Sequence, residues 1–243
     1  MLQYAGLGET KAAMTLPPSV LDRVGPYVVR DDVLPPAEAQ ALLAWAIDHE
    51  ANFVSSRVRD GALRSDVRHS RQLRNVDFTD WRRCLKGHFK PLVALLIGEL
   101  AVTPFEIAGT EMDVASHNDG DFYRQHIDMR TGPVDLERRR VLSLVYYFNA
   151  EPAAFAGGAL RLHAAARRHA ASTDLSPARF VDIAPVHNRL AAFPSWMPHE
   201  VLPVHCPSGR FADSRFSINC WFYAAVPSGV SGATPSAMPS NQS

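Results

Sequence analysis

Strict alternation of apolar and polar residues near the end of the chain predicts a β-strand that is buried on one face. Between Arg215 and Phe222, every second residue is apolar. Because strand side chains point alternately to the two faces of a sheet, this face would pack in a core. The opposite face would carry Arg215, Ser217, Asn219 and Trp221. The pattern therefore separates a packing face from a face that is free to carry chemistry.

A second segment, from Val141 to Phe148, alternates in the same way. Its two faces would carry Ser143, Val145 and Tyr147 on one side, and Leu142, Leu144, Tyr146 and Phe148 on the other. From about residue 103 to 223 such short strands and turns dominate, which is typical of a double-sheet barrel or jelly roll.

Two earlier segments instead show helical periodicity. After Pro35 and Pro36, apolar residues recur at helical spacing as far as Ile47. A second stripe extends from about Asp80 to Leu100, where Pro91 would kink the helix or split it. The predicted fold class is therefore mostly β with flanking helices, a double-stranded β-helix (jelly roll) core covered by N-terminal α-helices.

The length and composition fit one domain. The chain has 243 residues, 47% of them hydrophobic, which is enough for a full core. We expect a loose N-terminal segment over 1–25 and a single domain over 26–225, with helical support at about 35–100 and the jelly-roll core at about 103–223. The segment 226–243, rich in Pro, Ser, Gly and Ala, is predicted to be disordered.

Charge and cysteine content give little sign of a special partner or compartment. Lys plus Arg equal Asp plus Glu at 25 each, so no overall charge favours nucleic acid or a membrane surface. Three scattered cysteines do not form a disulfide framework. No secretory signal or long apolar segment is evident. The expectation is a soluble, cytoplasmic protein that binds neither nucleic acid nor membrane.

Candidate chemistry begins with His126-Ile127-Asp128 and a later His199. On a strand, His126 and Asp128 would share one face. Two histidines and one carboxylate can occupy one face of an octahedral Fe(II) and leave positions open. The same residue types also occur as solvated or core histidines, so the spacing alone leaves both interpretations open. Arg215, alternating with core residues, would need an anionic partner, and Tyr147 could donate to the same anion.

Five ordered motifs resemble the prolyl 4-hydroxylase-like branch of the Fe(II)/2-oxoglutarate-dependent dioxygenases, over about residues 26–223. They are Gly120-Asp121-Phe122-Tyr123 before His126, Tyr146-Tyr147-Phe148-Asn149, Gly157-Gly158-Ala159-Leu160-Arg161-Leu162, His199-Glu200-Val201 and Arg215-Phe216-Ser217-Ile218.

The resemblance implies Fe(II) bound by His126, Asp128 and His199. It implies 2-oxoglutarate held by Arg215 with Tyr147 and Ser217 beside it, and ascorbate as a reductant. Hydroxylation of a C–H bond would accompany conversion of 2-oxoglutarate to succinate and CO₂. Residues placed on the substrate side are Trp221, Tyr123 and Arg68.

The chain departs from the family pattern at one position. Hypoxia-sensing members carry a tyrosine ten residues before the first iron-binding histidine, whereas this chain has Ser116 followed by His117. Either His117 or Tyr123 would substitute for that tyrosine. The double glycine, Gly157-Gly158, would mark a bend with close backbone approach or a plain turn.

The substrate is the least constrained part of the prediction. A prolyl residue of a protein or peptide is favoured by the resemblance. A free amino acid or small metabolite is the alternative substrate, and a non-catalytic metal or 2-oxoglutarate sensor is the alternative function. The arginine-rich segment 54–75 is predicted to be either a solvated hairpin or a lid that closes over substrate. The remaining histidines have no metal-ligand spacing to one another.

Overall fold

The computed structural model describes residues 23–56, 66–129, 139–165 and 179–225. Most of the predicted loose segment 1–25 and all of the predicted tail 226–243 lie outside these ranges. The helices are α1 (Pro36–Asp48) and α2 (Thr79–Glu99). The strands are β1 (Val28–Arg30), β2 (Phe53–Ser55), β3 (Arg68–His69), β4 (Arg71–Leu73), β5 (Ile107–His117), β6 (Phe122–His126), β7 (Arg140–Tyr147), β8 (Ala156–Gly157), β9 (Leu160–His163), β10 (Phe180–Ile183), β11 (Arg189–Pro194), β12 (His199–Val201), β13 (Val204–His205) and β14 (Arg215–Ala224).

The strands form two large antiparallel sheets, so the prediction of a mostly β protein is confirmed. The seven-stranded sheet has the order β1-β11-β7-β14-β5-β4-β2, and the five-stranded sheet has the order β10-β9-β12-β6-β3. A small pair, β13-β8, lies apart from both. β14 pairs with β7 on one side and with β5 on the other, which places Arg215 opposite His117 and Ser217 opposite Tyr147.

Two apolar clusters lie on opposite faces of the seven-stranded sheet. The inner cluster joins Val145 and Tyr147 of β7 to Leu160 and Leu162 of β9 in the other sheet. The outer cluster joins the alternate residues of β7 and β14 to the helices. Its strand members include Leu142, Leu144, Tyr146, Phe148, Phe216, Ile218, Cys220 and Phe222. The period-two alternation predicted for both strands is therefore present.

The helices contact the outer face of this sheet. Phe89 of α2 packs on Tyr146 with ring centroids 5.8 Å apart, and Leu42 of α1 lies in the same cluster. α2 continues through Pro91 and is not split. Pro91 lies on the exposed face, where solvent can hydrate the Gly87 carbonyl that loses its usual N–H partner. No helix among the described residues is long and apolar enough to cross a membrane.

The arginine-rich segment 54–75 is only partly described, since residues 57–65 lie outside the ranges above. Its described ends contribute strands to both sheets: β2 at the edge and β4 next to it in one sheet, and β3 at the edge of the other. Arg71 donates to the Phe53 carbonyl (2.8 Å), and Arg74 lies 3.5 Å from the Asp113 carboxylate. These contacts anchor both ends of the segment to the sheets, unlike the solvated hairpin that the sequence predicted. The role of the segment as a lid stays a prediction.

Candidate active site

His126, Asp128 and His199 meet at one point on the five-stranded sheet. His126 ends β6, His199 begins β12, and the two residues are paired across the strands. The three ligand atoms lie within 4.8 Å of one another. Asp128 lies two residues beyond the end of β6, not on the strand as predicted. Its N–H donates to the Ser195 carbonyl (3.0 Å), so a loop contact fixes its position.

Backbone carbonyls set the direction in which both histidines present a lone pair. His126 Nδ1 lies 2.9 Å from the Arg124 carbonyl, and His199 Nδ1 lies 2.9 Å from the Met197 carbonyl. A carbonyl only accepts, so each Nδ1 carries the proton and each Nε2 is left as the acceptor. Both Nε2 atoms face Asp128, at 3.9 Å from His126 and 3.5 Å from His199. This arrangement orients ligand atoms toward a metal.

Asp128 is held as a carboxylate by its surroundings. Ser143 donates a hydrogen bond to Asp128 Oδ2 (2.8 Å), and the Ser195 hydroxyl lies 2.8 Å from that of Ser143. Burial alone would raise the pKa of Asp128, but the nearby imidazoles and hydrogen bonds from Trp221 and Ser143 lower it. Burial, followed by the neighbouring imidazole, lowers the pKa of His126, so that ring is neutral and able to coordinate.

Arg215 is the largest fully buried side chain among the described residues, with 1% of its surface exposed. Its Nε donates to the Gly158 carbonyl (2.7 Å), and its guanidinium lies 4.9 Å from the centroid of the Tyr147 ring. Burial lowers the pKa of Arg215, but arginine titrates so high that it stays charged. No carboxylate of the described residues forms an ion pair with it, so this buried cation has no anionic partner within that part of the chain.

Unsatisfied polar atoms cluster around this arginine. Of the five buried side-chain N or O atoms without a partner in the described part of the chain, four belong to this neighbourhood. They are Arg215 Nη2, His117 Nε2, Tyr147 Oη and Ser217 Oγ. Buried polar groups in native proteins are normally satisfied, so such a concentration indicates a place for a polar ligand. We refer to these four residues as the Arg215 chamber.

His117, and not Tyr123, is the neighbour of Arg215. His117 Nδ1 lies 3.4 Å from Arg215 Nη1, an atom that only donates, so the proton of a neutral ring is on Nε2. Burial and then the charge of Arg215 lower the pKa of His117 well below its ordinary value. The unpaired Nε2–H is therefore a neutral donor. Tyr123 instead stacks on His126, with ring centroids 3.7 Å apart.

The double glycine is required by close backbone approach. Gly157 and Gly158 both have positive φ, at 72° and 65°. A Cβ on Gly158 would lie 2.8 Å from Arg215 Cδ and 2.8 Å from Val204 Cγ2, and one on Gly157 would lie 2.5 Å from the Pro203 carbonyl oxygen. Any side chain at Gly158 would push Arg215 away from its carbonyl anchor. Of the two interpretations, close approach to the site is the one observed.

One cavity of about 370 Å³ extends from the three candidate metal ligands to three residues of the Arg215 chamber, Arg215, His117 and Ser217. Arg68, Tyr123 and Trp221, predicted on the substrate side, all line it. Arg68 lies over the Tyr123 ring at 4.7 Å. Arg140, which sequence reasoning missed, lies 3.7 Å over the Trp221 ring and forms an ion pair with Glu111 at 2.7 Å. Aromatic rings stacked with cations thus form two walls of this cavity.

The family is decided by comparison with known proteins. Residues 112–223 match the model of the 2OG-Fe(II) oxygenase superfamily, a range that contains every candidate ligand named above. An uncharacterized PKHD-type hydroxylase of Synechocystis sp. is 34% identical over 197 residues, or 81% of this chain and 63% of that protein. Residues 112–223 of the chain belong to the 2OG-Fe(II) oxygenase superfamily. The resemblance inferred from the motifs is thereby confirmed, and the chain spans less than two thirds of that relative.

Solved structures agree with this oxygenase fold. A prolyl-4-hydroxylase of Pseudomonas putida matches with a TM-score of 0.59 and 24% identity, over 82% of this chain and 93% of that one. A prolyl hydroxylase of Trichoplax adhaerens, in complex with a hypoxia inducible factor peptide fragment, gives a TM-score of 0.60 at 18% identity, over 82% and 84%. At these identities the likeness concerns the fold.

The residues present fit the group that gives the superfamily its name. Two imidazoles and a carboxylate are the facial donor set expected for Fe(II), and the Arg215 chamber offers a buried cation and three further polar groups to an anion. Sequence reasoning missed Ser143 as the donor to Asp128, although its alternation with Val145 and Tyr147 already placed it on this face. Nothing in the sequence indicates that the Met197 and Arg124 carbonyls would hold the two histidines.

Proposed function

We propose that this chain is an Fe(II)- and 2-oxoglutarate-dependent dioxygenase that hydroxylates a C–H bond. The observation that carries the proposal is the Arg215 chamber, where buried polar groups lack partners, in the same cavity as two histidines and a carboxylate. A core arginine kept for packing alone would have its donors satisfied by the chain. A dicarboxylate that reaches from the metal ligands to Arg215 would satisfy these donors.

His126, Asp128 and His199 would hold the iron. When bound, Fe(II) with 2-oxoglutarate supplies O₂ activation coupled to decarboxylation, which is the oxidising chemistry of the superfamily. The chain's own task is to keep its ligands oriented without substrate. The Arg124 and Met197 carbonyls hold the imidazoles, and Ser143 holds one oxygen of Asp128 so that the other faces His126.

Arg215 would bind the distal carboxylate of 2-oxoglutarate. Its Nε donates to Gly158 and its Nη1 lies 3.4 Å from His117 Nδ1, which leaves Nη2 to face the anion. Tyr147, Ser217 and His117 each have a further polar atom to offer. Because His117 is neutral and carries its proton on Nε2, it adds a donor without adding a second buried charge. We infer that His117 replaces the tyrosine that other family members carry near this position.

The favoured substrate is a prolyl residue of a protein or peptide. The Trichoplax relative was solved with a peptide, and P. putida provides a prolyl-4-hydroxylase of the same fold. Trp221 and Tyr123 both line the cavity beside His126 and Asp128, where their apolar ring edges would contact a pyrrolidine ring.

A free amino acid or small metabolite is supported by a different observation. The cavity is lined by charges of both signs, among them the ion pairs Arg140–Glu111 (2.7 Å) and Arg74–Asp113 (3.5 Å). Such groups would recognise a zwitterion better than the neutral backbone of a peptide. A zwitterion would therefore use these charged groups, whereas a prolyl peptide would use the aromatic rings.

The deciding experiment measures O₂-dependent conversion of 2-oxoglutarate to succinate by the purified protein with Fe(II). Wild type and Asp128→Ala are compared, first without substrate and then with proline-containing peptides and with an amino-acid library. Succinate from wild type alone supports the enzyme, and the library that raises the rate names the substrate class. Binding of 2-oxoglutarate without any succinate from wild type would overturn the proposal and favour the sensor.

A further inference from the structure

A second group of metal-ligating side chains lies outside the site described above, between the two helices. Glu38 of α1 and Cys84 and His88 of α2 bring one ligand atom each within 4.8 Å of one another. Cys84 and His88 are four positions apart in the chain, so they share one face of α2. The donors are one thiol, one imidazole and one carboxylate, which together suit Zn²⁺ better than the oxygen-seeking cations.

The backbone positions of the three residues are rigid. Each is followed in the chain by a residue of the outer cluster, Ala39, Leu85 and Phe89, and all three of these are 0% exposed. The three side chains therefore lie at the edge of the packed interface between α1 and α2. Their side chains are half-buried, with 31% of His88 and 40% of Glu38 exposed, so an ion could enter from solvent and keep a water ligand.

The three side chains form a hydrogen-bonded cluster whose distances are close to those of a metal-bound geometry. Glu38 Oε2 accepts from Cys84 Sγ (3.2 Å) and lies 2.8 Å from His88 Nε2. Tetrahedral zinc with ordinary bond lengths separates sulfur from oxygen by about 3.6 Å and nitrogen from oxygen by about 3.3 Å. The ligand atoms therefore need to open by only about half an ångström, which rotation of the exposed Glu38 side chain can supply.

We propose that Glu38, Cys84 and His88 form a second metal site that binds Zn²⁺ and links α1 to α2. Without metal, burial and the Glu38 carboxylate raise the pKa of Cys84 to about 11, so binding must displace the thiol proton to solvent. The site lies on the helix side of the seven-stranded sheet, whereas the Fe(II) ligands lie on the other sheet. The proposal does not depend on the dioxygenase function.

Cobalt is the probe that separates the two sites. Co²⁺ bound to a thiolate gives a near-ultraviolet charge-transfer band, which an imidazole and carboxylate site cannot give because it contains no sulfur. Titration of reduced Asp128→Ala protein is expected to produce this band at one equivalent of Co²⁺. Adding Cys84→Ala should abolish the band, and adding His88→Gln should weaken Co²⁺ binding about tenfold or more.

His163→Gln is the matched control, because His163 also lies by a carboxylate, Glu200 at 3.0 Å, but outside any three-ligand group found in the described residues. It should leave the band unchanged. Wild type provides a second arm should Asp128→Ala fold poorly, since only Cys84 would contribute sulfur there too. Absence of the band in wild type, or a band that persists without Cys84, would overturn the proposal. Competition by Zn²⁺ for the cobalt band then tests the metal named.

Discussion

The two ends of the central cavity differ in how completely the chain satisfies its own polar groups. At the metal end, His126 and His199 are held by carbonyls and Asp128 by Ser143. At the other end, a polar atom of each of the four residues of the Arg215 chamber has no partner among the described residues. The proposed metal ligands are thus oriented by the protein, whereas the chamber would be completed by a bound ligand.

This difference indicates how each end of the cavity would contribute to the free energy of ligand binding. A pre-oriented ligand set loses little conformational freedom when an ion binds. The chamber instead keeps a buried cation and neutral donors unpaired, a cost that an anion removes when it binds. Changes at the metal end should therefore alter metal affinity and turnover, and changes in the chamber should alter affinity for 2-oxoglutarate. Four variants test this division.

Asp128→Ala should have the largest effect. Loss of the only carboxylate of the ligand set should lower 2-oxoglutarate turnover more than about a hundredfold, because two neutral imidazoles do not balance the charge of the cation. Turnover and Fe(II) binding by calorimetry are the measurements. Asp182→Ala, which removes a carboxylate paired with Arg161 on the exposed side of the five-stranded sheet, should change neither. Unchanged Fe(II) affinity in Asp128→Ala would refute the ligand assignment.

Arg215→Lys should raise the KM for 2-oxoglutarate by about tenfold to a hundredfold while leaving Fe(II) affinity unchanged. A lysine keeps the charge but loses both the paired donors of the planar guanidinium and the hydrogen bond from Nε to the Gly158 carbonyl. The matched control is Arg161→Lys, because Arg161 is paired with Asp182 at 2.7 Å. If the KM rises in the control and not in Arg215→Lys, the co-substrate binds elsewhere.

Ser143→Ala should weaken Fe(II) binding by about tenfold, because Asp128 loses the hydroxyl that fixes one of its oxygens. The KM for 2-oxoglutarate measured at saturating iron should stay near the wild-type value. Ser56→Ala provides a comparison, since Ser56 also belongs to a buried serine pair, with Ser70, but away from the metal ligands. An equal loss of metal affinity in both variants would mean that general destabilisation is the cause.

Tyr147→Phe should have the smallest effect of the four variants. It should also separate the stability of the protein alone from its affinity for 2-oxoglutarate most clearly. None of the described residues meets the distance and angle of a hydrogen bond to the Tyr147 hydroxyl, so the free energy of unfolding of the protein alone should stay the same or rise slightly. With 2-oxoglutarate present, the lost hydrogen bond should cost about 1 kcal/mol, or roughly a fivefold higher KM. Thermal unfolding with and without 2-oxoglutarate measures both. A large loss of stability in the absence of 2-oxoglutarate would contradict the assignment of this hydroxyl to an anion.

Period-two alternation carried most of what the sequence could predict. It divided β7 and β14 into two faces each, and so grouped Tyr147 with Ser143 and Arg215 with Ser217. In the structure these groups lie on the faces turned away from the helices. Face assignment works because a strand has two sides and one of them must avoid water. The same rule misplaced Asp128, which lies beyond the strand end where a loop contact, and not the pleat, sets its direction.

Contacts between distant segments could not be predicted. The proximity of Ser143 to Asp128 and of Arg140 to Trp221 depends on how strands pair and where loops return, and neither is encoded by spacing along the chain. The same limit left His117 and Tyr123 as equal alternatives until the pairing of Arg215 with His117 separated them. The Glu38, Cys84 and His88 group was missed because one member comes from another helix.

β14 carries the core on one face and the site on the other, which has a consequence for how the protein can change over generations. Insertion or deletion of one residue early in this strand would exchange Arg215 and Ser217 for Phe216 and Ile218. Such a change would move the Arg215 charge from the cavity into the apolar cluster under the helices and turn apolar side chains into the cavity. Selection should therefore remove insertions and deletions from β14 more readily than from the helices. New substrate preferences should arise instead through substitutions at the cavity mouth.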